Sequence, residues 1–334
     1  MKTLTIPGKI MLSGEYAVLF GEDALAFTID RTLRYTTERS KDGRFHFTTE
    51  LWPHPLSLSE GDLTTSSSDA LLLIAAKQAF RRFPCRPLSV TIESEIGQTW
   101  GGGISSAVAL GTFLSFKLHS DKLGSLTKDA QWEAAKLAFD LQKTLQGSAS
   151  GYDILTQLVG GLVRYKPKGF WPGTWDSRQG LETSFHRFIH IYAGGKGAPT
   201  GSIMKETLAW LEKDRLKDDL CVISKDLTES FAQFFKINST EALEKLFQAN
   251  RRHTEFFAPS PHVPKALTQE LEEIPHCHRT FTYKTTGSGG EDALLLIGET
   301  DSIQVADKVL RSKGWYKLPL SFRSKGVELE SSDD

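Results

Sequence analysis

The sequence predicts an α+β protein built from two domains. Its 334 residues are 39% hydrophobic, which is enough apolar material for a large core. Strand patterns dominate the start of the chain, helix patterns follow, and a new set of strands and helices comes after residues 166–180, which are dense in glycine, proline and tryptophan. We therefore expect one domain at 1–165, a second at 181–324 and an acidic, disordered tail at 325–334.

Two strands and two helices are predicted for the first domain. Residues 31–38 are rich in β-branched and aromatic side chains, and residues 87–94 alternate apolar and polar positions, so both favour strands. A helix is predicted over 64–82, with cap candidates at 66–69. Apolar residues that recur every three to four positions predict another helix with one buried face over 128–145.

The second domain is predicted to mix strands and helices throughout. The last three elements follow the order strand, helix, strand, which is typical of a βαβ-like or split β-α-β unit. In chain order, strands are expected at 186–194, 292–298 and 315–322, and helices at 202–217, 239–257 and 302–313.

Charge and apolar content exclude several classes of partner. Forty basic residues against forty-one acidic ones leave a net charge of -1, so no overall field attracts nucleic acid or a membrane surface. The sequence has no signal-peptide pattern and no apolar run of about 18 residues. We therefore expect a cytoplasmic protein with neither partner. Net charge and apolar content do not indicate the oligomeric state of the protein.

The cysteines and histidines give little indication of a metal centre. Cys85, Cys221 and Cys277 are odd in number and far apart, which favours reduced thiols over disulfides. His276, Cys277 and His278 are adjacent, and neighbours on an extended chain point to opposite faces. A solvated loop is therefore expected there.

The segment WGGGISSAVALG, residues 100–111, is the strongest local signal of a binding site. It lies between a predicted strand and an apolar helix, so backbone N–H groups of the loop and of the helix start can converge on an anion. It matches neither the Walker pattern nor G-x-G-x-x-G, and a purely structural turn is the alternative. The expected contacts to a phosphate chain are Gly101, Gly102, Gly103, Ser105 and Ser106, with the two serines also next to Mg²⁺.

Two further motifs occur in a recognisable order with this loop. IPGKIMLSGEYAVLFG, residues 6–21, precedes it, and YKTTGSGGEDALLLIG, residues 283–298, follows it. Together the three resemble the motifs of the GHMP kinase superfamily over nearly the whole chain. The resemblance implies a ribosomal S5 domain 2-like N-terminal domain, a ferredoxin-like C-terminal domain, and an ATP- and Mg²⁺-dependent phosphotransferase.

Within that superfamily the details look most like phosphomevalonate kinase. The first motif reads P-G-K-x-x-x-x-G-E-Y-A-V, with Tyr16 where mevalonate kinases typically carry His. Ser150–Asp153 matches S-G-x-D, the segment of the catalytic Asp in the superfamily. Mevalonate kinases place a metal-binding Glu eleven residues before that Asp, where this chain has Gln142. The implied acceptor is a small phosphorylated acid of the mevalonate, or isoprenoid precursor, pathway.

The resemblance also implies roles for individual residues. Asp153 would orient or deprotonate the acceptor, and Lys9 would stabilise charge on the transferring group; the alternatives are a helix N-cap and a solvated lysine. Arg164, Lys196 and Lys205 are the cations that the resemblance places around the substrate. The substrate contacts expected in full are Glu15, Tyr16, Ser150, Gly151, Arg164, Lys196, Thr200, Gly287 and Gly289.

Two other functions stay open on the sequence alone. Mevalonate kinase is the nearer alternative. The other is a catalytically silent sensor of a metabolite with the same fold. It is suggested by Gln142 and by Ile104, which replaces a glycine of the superfamily's G-L-G-S-S-A motif and, as a β-branched residue, disfavours positive φ.

Overall fold

The protein is built on two β-sheets with helices packed against them. A computed structural model describes residues 1–51, 54–65, 70–97, 100–121, 125–169, 171–194, 200–290 and 293–331. The strands are β1 (Lys2–Ser13), β2 (Ala24–Arg39), β3 (Phe45–Thr49), β4 (Leu56–Leu58), β5 (Leu88–Ser94), β6 (Leu162–Lys166), β7 (Thr174–Arg178), β8 (Ile189–Ala193), β9 (Phe281–Thr285), β10 (Ala293–Gly298), β11 (Tyr316–Lys317) and β12 (Glu328–Ser331).

The helices cover much of the remaining described chain. In order they are α1 (Glu60–Thr65), α2 (Leu71–Arg82), α3 (Ile104–Ser120), α4 (Lys128–Gln146), α5 (Tyr152–Val159), α6 (Glu182–Phe188), α7 (Thr200–Lys213), α8 (Lys217–Ile237), α9 (Thr240–Phe257), α10 (Lys265–Glu272) and α11 (Gln304–Ser312).

The N-terminal sheet has eight strands in the described chain. Its main path runs β12-β1-β2-β5-β3-β4, and β6 pairs with both β2 and β7. Helix α3 packs on this sheet and is buried along most of its length, because its residues are apolar on nearly every face. Phe116 of α3, for example, stacks on Phe45 of β3. This helix therefore has a fixed position, and so does the loop that precedes it.

The C-terminal sheet has the order β11-β8-β10-β9, with antiparallel pairing throughout. Along the chain, helices α7 to α10 connect β8 to β9, and α11 connects β10 to β11. This is the β-α-β-β-α-β arrangement of a ferredoxin-like unit, so the expected α+β fold class is confirmed.

Several elements differ from the expectation. The Pro-Gly pair before Lys9 predicts a turn, but β1 continues through Pro7 and Gly8 with a register shift between the two. Residues 174–178 of the expected connection form β7, and residues 328–331 of the expected disordered tail form β12 beside β1. The long helix α8 was not predicted at all. The cap candidates at 66–69 lie outside the described residues.

No helix in the described part of the chain has the length and apolar character needed to span a membrane.

Gly111 tests how closely α3 packs on the sheet. A Cβ at this position would lie 2.3 Å from Cε2 of Tyr35, whose hydroxyl is held by the Val108 carbonyl at 2.9 Å. Gly111→Ala should therefore lower the free energy of unfolding by about 1–3 kcal/mol, although alanine is the better helix former by about 1 kcal/mol. Urea denaturation measures this.

Gly61→Ala in α1 is the matched control. The nearest atom to its added Cβ is Ser59 Oγ at 3.5 Å, so this variant should be neutral or slightly stabilising. Equal effects of the two substitutions would contradict the packing described for α3.

Candidate active site

One cavity of about 270 Å³ collects residues from all three sequence motifs. It lies where β1, the N-terminal ends of α3 and α5, and the loop after β9 meet. The expected site residues that line it are Lys9, Glu15, Tyr16, Gly101, Gly102, Gly103, Ser105, Ser106, Ser150, Asp153 and Gly287.

The glycine-rich loop packs directly on strand β1. The Lys9 backbone N–H donates to the Gly102 carbonyl at 2.9 Å. A Cβ on Gly103, which has φ 82°, would come within 2.9 Å of Lys9 Cγ, and a Cβ on Gly102 would come within 2.5 Å of the Trp100 ring. Glycine at 103 therefore lets the loop approach the lysine closely, and glycine at 102 leaves room for the Trp100 ring.

Helix α3 begins at Ile104, immediately after this loop. Positive φ angles occur at Gly101 and Gly103 and not at Ile104, so the concern raised by its β-branched side chain does not apply. The first N–H groups of the helix carry its partial positive charge. Ser105 is exposed at the cavity, whereas Ser106 is buried and donates to the Gly103 carbonyl at 2.8 Å. The Ser106 hydroxyl therefore stabilises the helix start.

Lys9 is a buried cation at the floor of the cavity. Its Nζ donates to the Tyr152 hydroxyl at 2.9 Å. Burial alone would lower the pKa of Lys9, but Tyr152 and the Asp153 carboxylate oppose it and the net pKa is raised. Lys9 is therefore charged near pH 7. A solvated lysine was the alternative, and its 6% exposure contradicts that.

Asp153 lies in the first turn of α5, with its side chain half-buried at the cavity. Its Oδ1 accepts from the N–H of Ile154 at 3.0 Å, and the Gln142 amide lies 3.5 Å from its Oδ2. The residue at the N-cap is Gly151 and makes no side-chain cap, so the N-cap interpretation of Asp153 is wrong. A carboxylate is thus held at the cavity, close enough to Lys9 to affect its pKa.

Glu15 and Lys284 form an ion pair between the turn after β1 and strand β9 of the C-terminal sheet. The Lys284 ammonium donates to Glu15 Oε1, and the two side chains are 1% and 0% exposed. Burial lowers the pKa of Lys284, and Glu15 partly offsets this. His253 Nε2 lies 3.7 Å from Glu15 Oε2, and burial lowers the pKa of His253 well below its usual range. The histidine is therefore neutral beside the pair.

Tyr16 ties the first motif to the third. It adopts φ 58°, which is unusual for a residue other than glycine, and its hydroxyl donates to the Ser288 carbonyl at 2.8 Å. The Thr286 hydroxyl donates to the Met11 carbonyl at 2.6 Å. Gly287 lines the cavity, but Gly289 packs against His262 instead, where a Cβ would lie 2.1 Å from Nδ1.

Several expected contacts are not brought to the cavity. Arg164 donates to Asp23 Oδ2 at 2.6 Å and pairs with Glu229 at 2.5 Å, so its guanidinium is already occupied. Lys205 is exposed outside the cavity lining, and Gly151 packs against Trp171. Lys196 lies outside the described residues, and so does the side chain of Thr200, the first residue of α7.

Sequence reasoning assigned no role to four residues that shape the site. Tyr152 bonds Lys9, Gln157 Nε2 donates to the Gly103 carbonyl at 3.0 Å, and Lys284 and His253 surround Glu15. Tyr152 lies in the S-G-x-D segment and Lys284 in the motif at 283–298, so the sequence placed both near the site. Tyr152 lies 143 residues from its partner Lys9, and Lys284 lies 269 residues from its partner Glu15. No local sequence pattern reveals contacts over such separations.

Comparison with known proteins supplies the wider context for this geometry. No family model matches the chain. A mevalonate kinase of Pyrococcus abyssi is 29% identical over 97% of this chain and 96% of its own. The mevalonate kinase structure of Methanococcus jannaschii superimposes with a TM-score of 0.69 at 18% identity, over 96% of this chain and 98% of that one.

A third match is a Streptococcus pneumoniae phosphomevalonate kinase solved with phosphomevalonate and AMPPNP. Its TM-score is 0.70 at 15% identity, over 97% of this chain and 100% of that one. The chain is thus similar in sequence to mevalonate kinases, and it shares its fold with the structures of mevalonate kinase and phosphomevalonate kinase. Mevalonate kinases are among its near relatives.

The residues at this cavity fit a hydrated Mg²⁺ bound together with a phosphate chain. Mg²⁺ prefers oxygen ligands and usually keeps several waters, so one or two protein oxygens suffice. Asp153 offers a half-buried carboxylate and Ser105 an exposed hydroxyl at the same cavity. Ser106, the other expected ligand, uses its hydroxyl for the Gly103 carbonyl.

The buried ion pair gives a direct test of the junction between the two sheets. Lys284→Met should reduce the free energy of unfolding by about 3–5 kcal/mol, because it leaves the Glu15 carboxylate buried without a partner. Adding Glu15→Gln to that variant should restore most of the loss. Urea denaturation of the single and double variants gives both numbers.

The control is Lys136→Met, which removes an exposed pair with Asp140 and should cost less than about 1 kcal/mol. A Lys284→Met variant as stable as this control would show that the junction does not depend on the pair.

Proposed function

We propose that this protein is a GHMP kinase that transfers the γ-phosphate of ATP to a small acid of the mevalonate pathway. The observation that carries the proposal is one cavity that holds an anion-binding helix start, a buried lysine and a carboxylate. Relatives that align along nearly the whole chain are named mevalonate kinases, which supports the pathway.

The loop at 101–106 is the proposed site for the ATP phosphates. Its backbone approaches without side chains at Gly101, Gly102 and Gly103, and the N-terminus of α3 adds unpaired N–H donors. The 17-residue helix is fixed by its buried faces, so these donors are oriented before any nucleotide arrives.

Lys9 and Asp153 are proposed to act on the reacting groups. The Lys9 ammonium would stabilise charge that develops on the transferred phosphoryl group, and Asp153 would accept the proton of the attacking hydroxyl. Mg²⁺, when bound, neutralises charge on the phosphate oxygens. Tyr152 accepts a hydrogen bond from Lys9 and thereby helps to fix where the ammonium points.

Mevalonate is the acceptor that the described geometry supports best. Phosphomevalonate was expected from Tyr16 and from extra cations such as Arg164. Tyr16 instead bonds Ser288, and Arg164 bonds Asp23 and Glu229. Among the described residues, Lys9 is the one lysine or arginine that lines the cavity. A single free cation near the reacting group suits a monoanionic acid better than one that also carries a phosphate.

A metabolite sensor is the weaker alternative. Ile104 no longer supports it, because α3 simply starts at that residue. Gln142 still does, since a neutral amide stands beside Asp153 in place of a second carboxylate. Turnover of ATP with an acceptor separates the two functions, because a sensor would bind and not react.

Removal of either charge at the reacting centre should abolish most turnover. Asp153→Asn should lower kcat by about 10²- to 10⁴-fold, and Lys9→Met should lower it comparably, with ATP affinity changed far less. ADP release and nucleotide binding by calorimetry measure the two effects. Asp140→Asn, an exposed carboxylate on α4, should behave like the unmodified protein. Near-normal rates in both site variants would contradict the assignment.

The acceptor preference follows from the cations at the cavity. We expect kcat/KM for mevalonate to exceed that for phosphomevalonate by about 10- to 100-fold, the factor that corresponds to a charged hydrogen bond left unmade. Initial rates with ATP, Mg²⁺ and each acceptor decide it. A preference for phosphomevalonate would place further cations of the chain at the site and restore the sequence-based expectation.

A further inference from the structure

A second cluster of reactive side chains lies in the C-terminal domain, outside the cavity. Glu272 ends α10, and residues 273–280 lead from it to β9. One carboxylate oxygen of Glu272, Sγ of Cys277 and one ring nitrogen of His278 all lie within 4.8 Å of one another. None of the three lines the active-site cavity.

The backbone between α10 and β9 brings these residues together. The segment is not extended, because His276 and His278 adopt φ angles of 66° and 60° on either side of Cys277. The His278 N–H donates to the Phe281 carbonyl at 2.6 Å. Cys277 is half-buried and His278 is buried, in contrast to the solvated loop expected from the sequence.

Hydrogen bonds fix the two side chains that flank the thiol. His278 Nε2 lies 2.9 Å from Glu272 Oε1, and its Nδ1 lies 2.6 Å from the Thr282 hydroxyl, which also accepts from Asn250 at 2.7 Å. Tyr283 donates to Glu272 Oε1 at 2.7 Å. A metal-binding histidine is commonly oriented through its other ring nitrogen in this way.

We propose that Glu272, Cys277 and His278 bind one Zn²⁺ ion, with water as the fourth ligand. Thiolate, imidazole and carboxylate are the ligands that Zn²⁺ takes, and a thiolate disfavours Mg²⁺ and Ca²⁺. Zn–ligand bonds of about 2.0–2.3 Å place ligand atoms roughly 3.5 Å apart. His278 Nε2 and Glu272 Oε1, which lie 2.9 Å apart, would therefore separate slightly, and the longer separations within the 4.8 Å cluster need only a small contraction.

The surroundings allow that contraction. The Glu272 side chain is 44% exposed, so it can move toward the metal, and solvent reaches it to supply the water ligand. Binding releases the thiol proton of Cys277 and replaces the hydrogen bond between His278 and Glu272 with two bonds to the metal. The ion would fasten residues 273–280 to the end of α10 and stabilise the C-terminal domain.

Cobalt substitution tests the site in the full chain without reference to its enzymatic activity. After treatment with a chelator, one equivalent of Co²⁺ should produce a thiolate-to-cobalt charge-transfer band, and Zn²⁺ should displace it and raise Tm. Cys277→Ser should abolish the band and weaken Zn²⁺ binding by more than about tenfold. His278→Asn, which retains a residue tolerant of positive φ, should do the same.

Cys221→Ser is the control, because Cys221 is also half-buried and unpaired with another cysteine. It should bind Co²⁺ and Zn²⁺ as the unmodified chain does. Absence of the band in the unmodified chain, or equal Zn²⁺ affinity in Cys277→Ser, would overturn the proposal. Neither result bears on the proposed phosphotransferase.

Discussion

A buried ion pair between Glu15 and Lys284 ties the N-terminal sheet to the C-terminal sheet. Both charges are out of contact with water, so they are stable only while they touch. The pair joins the turn after β1 to β9, and the bonds from Tyr16 to Ser288 and from Thr286 to Met11 lie beside it. The walls of the cavity that these loops form are therefore held at a fixed separation.

The phosphate-binding side depends on a second close contact, between β1 and the glycine-rich loop. The backbone bond from Lys9 to Gly102 and the missing side chain of Gly103 let one strand supply both the lysine and the support for the loop. Because α3 is buried against the same sheet, the helix start and the ammonium share a rigid frame. Electrostatic stabilisation of a transferring phosphoryl group requires such fixed dipoles and charges.

Elements with a strong local pattern were predictable from the sequence. The alternation in β5 and the apolar repeat of α4 correspond to the elements observed at 88–94 and 128–146. Pro7 suggested a turn because proline cannot donate to a sheet, but a register shift accommodates it inside β1. The strand β12 forms by pairing Leu329 with Leu4, a contact between the two ends of the chain that no local pattern contains.

The residues of the site divide in the same way, into those that a local motif marks and those whose contacts lie far away in the sequence. The glycine loop, Lys9 and Asp153 were predicted from local motifs, and these residues line one cavity. Arg164 was predicted to contact the substrate from a local segment, whereas the partners it bonds, Asp23 and Glu229, are 141 and 65 residues away. Cys277 and His278 were dismissed on the assumption of an extended chain, and two left-handed residues remove that assumption.

The central claim is that one cavity aligns a nucleotide with Lys9 and Asp153. A crystal structure with Mg²⁺, a non-hydrolysable ATP analogue and mevalonate tests it most directly. We expect the triphosphate to lie along residues 101–106, with its γ-phosphate against Lys9 Nζ and the acceptor hydroxyl facing Asp153. A triphosphate bound elsewhere, or one with its γ-phosphate out of reach of Lys9, would contradict it.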